Sequence, residues 1–130
     1  MSETIRIDAL AAVIDQTLEA YAGAVEAAAD RAVDRTAEQV NTEILRHITF
    51  RQHTGDYVKS FAFKRSRWSG YYAKIWHVKA PEYRKTHLLE DGHANPDGTR
   101  TRAYPHIRYG AELACRNLPE NFAKEMDQIG

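Results

Sequence analysis

A chain of 130 residues that is 43% hydrophobic and 28% charged, with seven tyrosines, four phenylalanines and two tryptophans, can fill one core but is too short for two ordinary domains. Global disorder is excluded, and a single domain over residues 1–130 is expected. The formal charge is zero with the histidines neutral.

That zero hides a segregation. Residues 8–49 hold eight acids and three bases, residues 50–110 five acids and twelve bases, and residues 111–130 four acids and two bases. Charge along the chain therefore runs negative, positive, negative, as solvated faces of a folded domain, as complementary faces of subunits that meet head to tail, or as a basic surface near nucleic acid. The single cysteine, Cys115, has no internal disulfide partner. No apolar run approaches the ~20 residues that span a bilayer, and residues 1–8 lack the basic start and apolar core of a signal peptide, so no membrane partner and an intracellular site of folding are expected.

Residues 1–49 form the first region. From Asp8 to about Ile48 the apolar positions Ile7, Ala11, Ile14, Leu18, Tyr21, Val25, Ala28, Ala32, Val40 and Ile44 recur at helical spacing, and Asp8 is placed to cap the start. Forty residues at 1.5 Å each reach about 60 Å, more than a domain of this size is wide. Either the helix breaks near Gly23 or Arg35-Thr36, or part of it projects and packs on a neighbouring subunit; a single core-facing helix is the preferred reading, because the stripe is only moderately apolar.

Residues 54–104 read as β-rich. Gly55 marks the turn out of the helical region, Phe61 and Phe63 begin to alternate with polar residues, and Tyr71-Tyr72-Ala73-Lys74-Ile75-Trp76-His77-Val78-Lys79 is dense in strand formers. A hairpin turning at Trp68-Ser69-Gly70 is the expectation. Thr86 is placed to cap a short helical turn that Gly92 ends, Asn95-Pro96-Asp97-Gly98 is turn chemistry in a projecting arm, and residues 99–103 offer a third strand. Residues 105–130 form the C-terminal helix, with Pro105 as its first residue and Pro119 as a kink or restart. The fold class is α+β: a long N-terminal helix, a small antiparallel sheet and a C-terminal helix.

Candidate chemistry is sparse. His87, Glu90, His93 and His106 are metal-ligand types, but Gly92 ends the helical turn before His93 joins the face of His87 and Glu90, and the spacing matches no zinc motif. Cys115 lies on the C-terminal helix without a local nucleophile signature. The interleaved bases and aromatics of Lys64-Arg65-Ser66-Arg67-Trp68 and Tyr83-Arg84-Lys85 suit phosphate contact and base stacking, which makes Arg65, Arg67, Arg84 and Lys85 a candidate basic contact surface. No phosphate loop or catalytic carboxylate pair occurs, and an enzyme is disfavoured.

Thr54-Gly55-Asp56-Tyr57-Val58-Lys59-Ser60-Phe61, then the hairpin, then His87-Leu88-Leu89-Glu90-Asp91-Gly92-His93, a glycine-bearing loop and Pro105-His106-Ile107, resemble the bacteriophage tail-component family, the small tail-completion or head–tail joining proteins of long-tailed phages. The resemblance covers roughly residues 55–129. Two departures are Asp91, where the family often has an aromatic or apolar residue, and the N-terminal helix, which agrees in kind rather than in motif. The resemblance implies a non-enzymatic virion protein with no cofactor, forming a homo-oligomeric ring at the neck after assembly in the host cytoplasm. Its implied partners are further copies of itself, the head connector or stopper, and tail terminator or tail-tube proteins, with DNA passing close by. Gly55, His87, Leu88, Glu90, Gly92, His93 and Pro105 are then residues that set shape. The alternatives are a tail terminator capping the tail tube, a basic nucleic-acid-binding module and, from the residues alone, a metal-dependent enzyme using His87, Glu90 and His93.

Overall fold

The computed structural model describes residues 7–50, 55–68 and 71–129, and the side chains of residues 7, 8, 66–68, 71 and 72 lie outside what is described. The expected turn residues Ser69 and Gly70, and Thr54 of the motif, therefore also lie outside. Helix α1 (Ile7–Arg46) is a single unbroken helix of 40 residues. Neither Gly23 nor Arg35-Thr36 interrupts it, and Asp8 is inside the helix rather than at its cap. Alanine richness and the absence of proline favour helix throughout.

A four-residue helix α2 (Asp56–Lys59) follows, entered through Gly55 at φ 74°. Tyr57 is thus helical and buried, and the strand begins only at Phe61. Strands β1 (Phe61–Trp68) and β2 (Tyr71–Val78) form the expected antiparallel hairpin, with Phe63 opposite Trp76 and Arg65 opposite Lys74. A 3₁₀ turn (Glu82–Lys85) leads into α3 (Thr86–Asp91), whose first residue is Thr86 and whose cap position is Lys85.

The expected third strand does not join this hairpin. Strands β3 (His93–Ala94) and β4 (Arg100–Thr101) pair only with each other, as a second two-stranded sheet. The expected projecting arm is this closed hairpin: Thr99 donates its N–H (3.0 Å) and its hydroxyl (2.6 Å) to Asp97 Oδ1, while Asn95 N–H donates to the Thr99 carbonyl at 2.8 Å. Within residues 54–104 the strands are thus interleaved with short helical turns.

Helix α4 (Ile107–Met126) starts two residues after Pro105, with His106 at its cap, and runs without a break through Pro119. It packs antiparallel on α1. His47 stacks on Tyr109 with ring centroids 3.7 Å apart, and a Cβ on Gly110 would lie 2.7 Å from Ile44 Cγ1, so only glycine lets the backbones come this close. Further along, Asn121 Nδ2 donates to Thr36 Oγ1 and to Gln39 Oε1, both at 2.9 Å, and Arg31 meets the buried Glu125 at 2.7 Å. This polar seam inside a helix pair holds one register, because any slip would strand its buried donors.

Candidate assembly surface

The motif residues of the middle region converge on the start of α4. Glu90, on α3, places its carboxylate against three backbone N–H groups: those of His106 at 2.9 and 3.0 Å, Ile107 at 2.7 and 3.3 Å, and Arg108 at 3.2 Å. A helix N-terminus leaves such donors unsatisfied and carries partial positive charge, and here a carboxylate from 16 residues upstream answers both. His106 is fully buried. Its Nδ1 lies 2.7 Å from the Tyr104 carbonyl, which can only accept, so Nδ1 carries the proton and Nε2 accepts from the Tyr57 hydroxyl at 2.7 Å. Burial pushes the Tyr57 hydroxyl above the usual phenol pKa. Gly92 ends α3 at φ 73°, where a Cβ would press into the carbonyl of Thr101.

The candidate metal residues do not gather around a common point. Glu90 is occupied as a helix cap, His106 is held between Tyr57 and Tyr104, His87 is exposed beside Arg108, and His93 sits in β3 with Nε2 3.3 Å from Thr101 Oγ1. Among the described residues no group of three His, Cys, Asp or Glu side chains is placed to hold a metal. Leu88 lies at the surface of α3 and Pro105 precedes the cap of α4. Cys115 is exposed on α4.

Of the four candidate basic residues, Arg65 and Lys85 are paired within the molecule. Arg65 and Lys74, directly opposite across the hairpin, share Asp34 of α1, at 2.7 and 3.2 Å. Two like charges across a strand pair repel, and the acid between them reverses that. Desolvation pulls the Asp34 pKa upward, but the hydrogen bonds and charges of Lys74 and Arg65 outweigh it and hold the carboxyl below its usual range. Lys85 pairs with Glu82 at 2.8 Å, Arg84 is exposed, and the Arg67 side chain lies outside the described residues.

What remains open is apolar. Because α1 and α4 run antiparallel and α4 ends opposite Arg31, the first twenty or so residues of α1, about 30 Å of helix, extend beyond it. Every residue from 9 to 23 is exposed, including Leu10, Val13, Ile14, Leu18 and Tyr21, which are 44 to 61% accessible. Helical geometry puts these five on one strip that continues into the Ala28 and Ala32 face buried in the body, with Asp15, Glu19 and Glu26 on the opposite side. Sequence spacing showed this stripe; the end of α4 leaves it uncovered.

Spacing did not show the second open feature, a groove of about 400 Å³. Val33, Ala37, Val40 and Ile44 of α1 form its floor, Ile107, Ala111, Ala114 and Leu118 of α4 one wall, and Phe63, Ala73 and Trp76 of the hairpin the other. Its only sequence signal is the run of small residues Gly110, Ala111 and Ala114 on one side of α4. Among the described residues no helix is long and apolar enough to cross a membrane, so the exposed strip of α1 is not explained as a span. No protein-family profile, curated protein or solved structure matches this chain.

Proposed function

We propose that this chain is a structural subunit of a phage virion that acts at the head–tail junction as a tail-completion or head–tail joining component and assembles as a homo-oligomeric ring. The observation that carries the reading is the overhanging half of α1. An apolar strip this long and this exposed marks a contact surface, since burying each of its large side chains contributes about 1.5–3 kcal/mol. A protein that worked alone would be expected to shorten the helix or make the strip polar. Charge segregation along the chain and the resemblance of the middle motif to tail components support the same reading.

Deleting the gene from an inducible phage or prophage that carries it, and imaging the particles by electron microscopy, tests the proposal. Filled heads and finished tails found apart are the expected outcome. Abnormally long tails would move the protein to the tail terminator position, and intact virions would overturn the reading.

A further inference from the structure

We infer that the projecting half of α1 docks into the groove between α4 and the β1–β2 hairpin of a second copy of the same chain. The inference rests on the assembly reading for its purpose and names the two surfaces that reading leaves open. Three features of the molecule match one surface to the other.

Length is the first. Exposed large apolar residues run from Leu10 to Tyr21, and the groove floor from Val33 to Ile44. Each interval is twelve residues of helix, eleven steps and about 16 Å or three turns. Shape is the second. The groove presents Ala37, Ala111 and Ala114 between larger residues, which lets a helix settle close to the floor, while Leu10, Ile14 and Leu18 stand on the arm as ridges.

Charge is the third. Residues 7–30 carry five acids and no base. The hairpin beside the groove carries Arg65 and Lys74 against the single acid Asp34 of α1. The described acids of the arm lie opposite its apolar strip, so they draw the arm towards the basic hairpin and orient it rather than touching the groove floor. The same acids disfavour pairing of one arm with another arm.

A contact between two different surfaces of identical chains is heterologous, so each copy gives an arm and receives one. Such a contact closes into a ring or propagates as a filament. A purely arm-to-arm contact would be symmetric and stop at a pair.

The test mixes two variants of the full chain. Ile14→Glu with Leu18→Glu disables the arm, and Ala111→Glu with Leu118→Glu disables the groove; all four positions are exposed, so folding should persist, as far-UV circular dichroism will check. Sedimentation velocity of the wild type should show concentration-dependent association. Each variant alone should lose at least tenfold in self-affinity, and an equimolar mixture should recover a one-to-one heterodimer, because one intact arm then meets one intact groove.

A groove variant that associates as well as the wild type, with no recovery in the mixture, would show that arms pair with arms and overturn the inference. A wild type that stays a 14.8 kDa monomer up to about 0.5 mM would overturn it too. Both results leave the particle phenotype of the gene deletion to decide the assembly reading separately. Separated heads and tails together with a monomeric protein would keep the neck role and discard the arm-in-groove contact.

Discussion

At Glu90 one carboxylate does the capping that a local Ser, Thr or Asp usually does, and it does so for a helix in another part of the chain. Glu90→Ala should therefore lower stability to urea by about 2 kcal/mol, since it strips a charged acceptor from three N–H groups. Glu90→Gln should cost about half as much because it keeps an acceptor oxygen. Equal losses in the two variants would mean that packing, not the cap, matters at this site. Two residues on, Gly92 combines a left-handed φ with a carbonyl where a Cβ would sit. Gly92→Ala should cost about 1–3 kcal/mol from the backbone alone and more from the contact, again read from urea unfolding. Glu90 and Gly92 were both visible in the sequence as parts of one motif. The cap itself was not, because local capping patterns span three residues and this one spans sixteen. Pro105 misled for a related reason: His106 keeps a non-helical backbone, φ −140°, with its ring held by Tyr57 and Tyr104, so α4 begins only at Ile107.

Between elements, the α1–α4 contact depends on the missing side chain at Gly110, and the hairpin depends on Asp34. Gly110→Ala gains helix propensity but drives its Cβ into Ile44, so a net loss of about 1–3 kcal/mol is expected. Ile44→Ala removes both the Cγ1 and the Cδ1 atoms from that clash. The double variant should then be less destabilised than the two single losses added together, which a double-mutant cycle on urea midpoints measures. Asp34 has a folded pKa below its ordinary 3.8, so its contribution is complete at neutral pH and is lost as the pH falls below that value. The pair is half exposed, which keeps the effect within about 1 kcal/mol. The stability gap between wild type and Asp34→Asn should accordingly hold at neutral pH and narrow as the pH falls through and below 3.8, as followed by urea unfolding at each pH; a constant gap would remove the ion pair from the account. The element pattern was largely legible, since the period of α1, the alternation of β1 and β2 and the apolar face of α4 each announce their type. The second small sheet was not, because strands of two residues carry no period and are set by the Asp97–Thr99 turn.

For the molecule as a whole, α1 is a helix that one chain can only half support. The body covers it where α4 and the hairpin pack, from about Ala28 to Ile44, and the remaining length stands in water with its apolar strip open. An isolated helix of some twenty residues is marginal in water even when rich in alanine, because nucleation is costly and most helical stability comes from packing. In a dilute monomer, amides of residues 9–23 should therefore exchange with solvent quickly, while those of residues 28–44 are protected by the global stability of the body. Raising the protein concentration through the association range should slow exchange in residues 9–23 by tenfold or more and leave residues 28–44 nearly unchanged. Docking in the groove adds a second signature, since Phe63, Trp76 and Leu118 line it and the amides around them should slow over the same concentration range. Hydrogen exchange read by mass spectrometry follows both segments in one experiment. Arm protection without groove protection would place the partner helix elsewhere. Joint protection would tie the length of α1, which no single domain of this size needs, to the neighbour that it was long enough to reach.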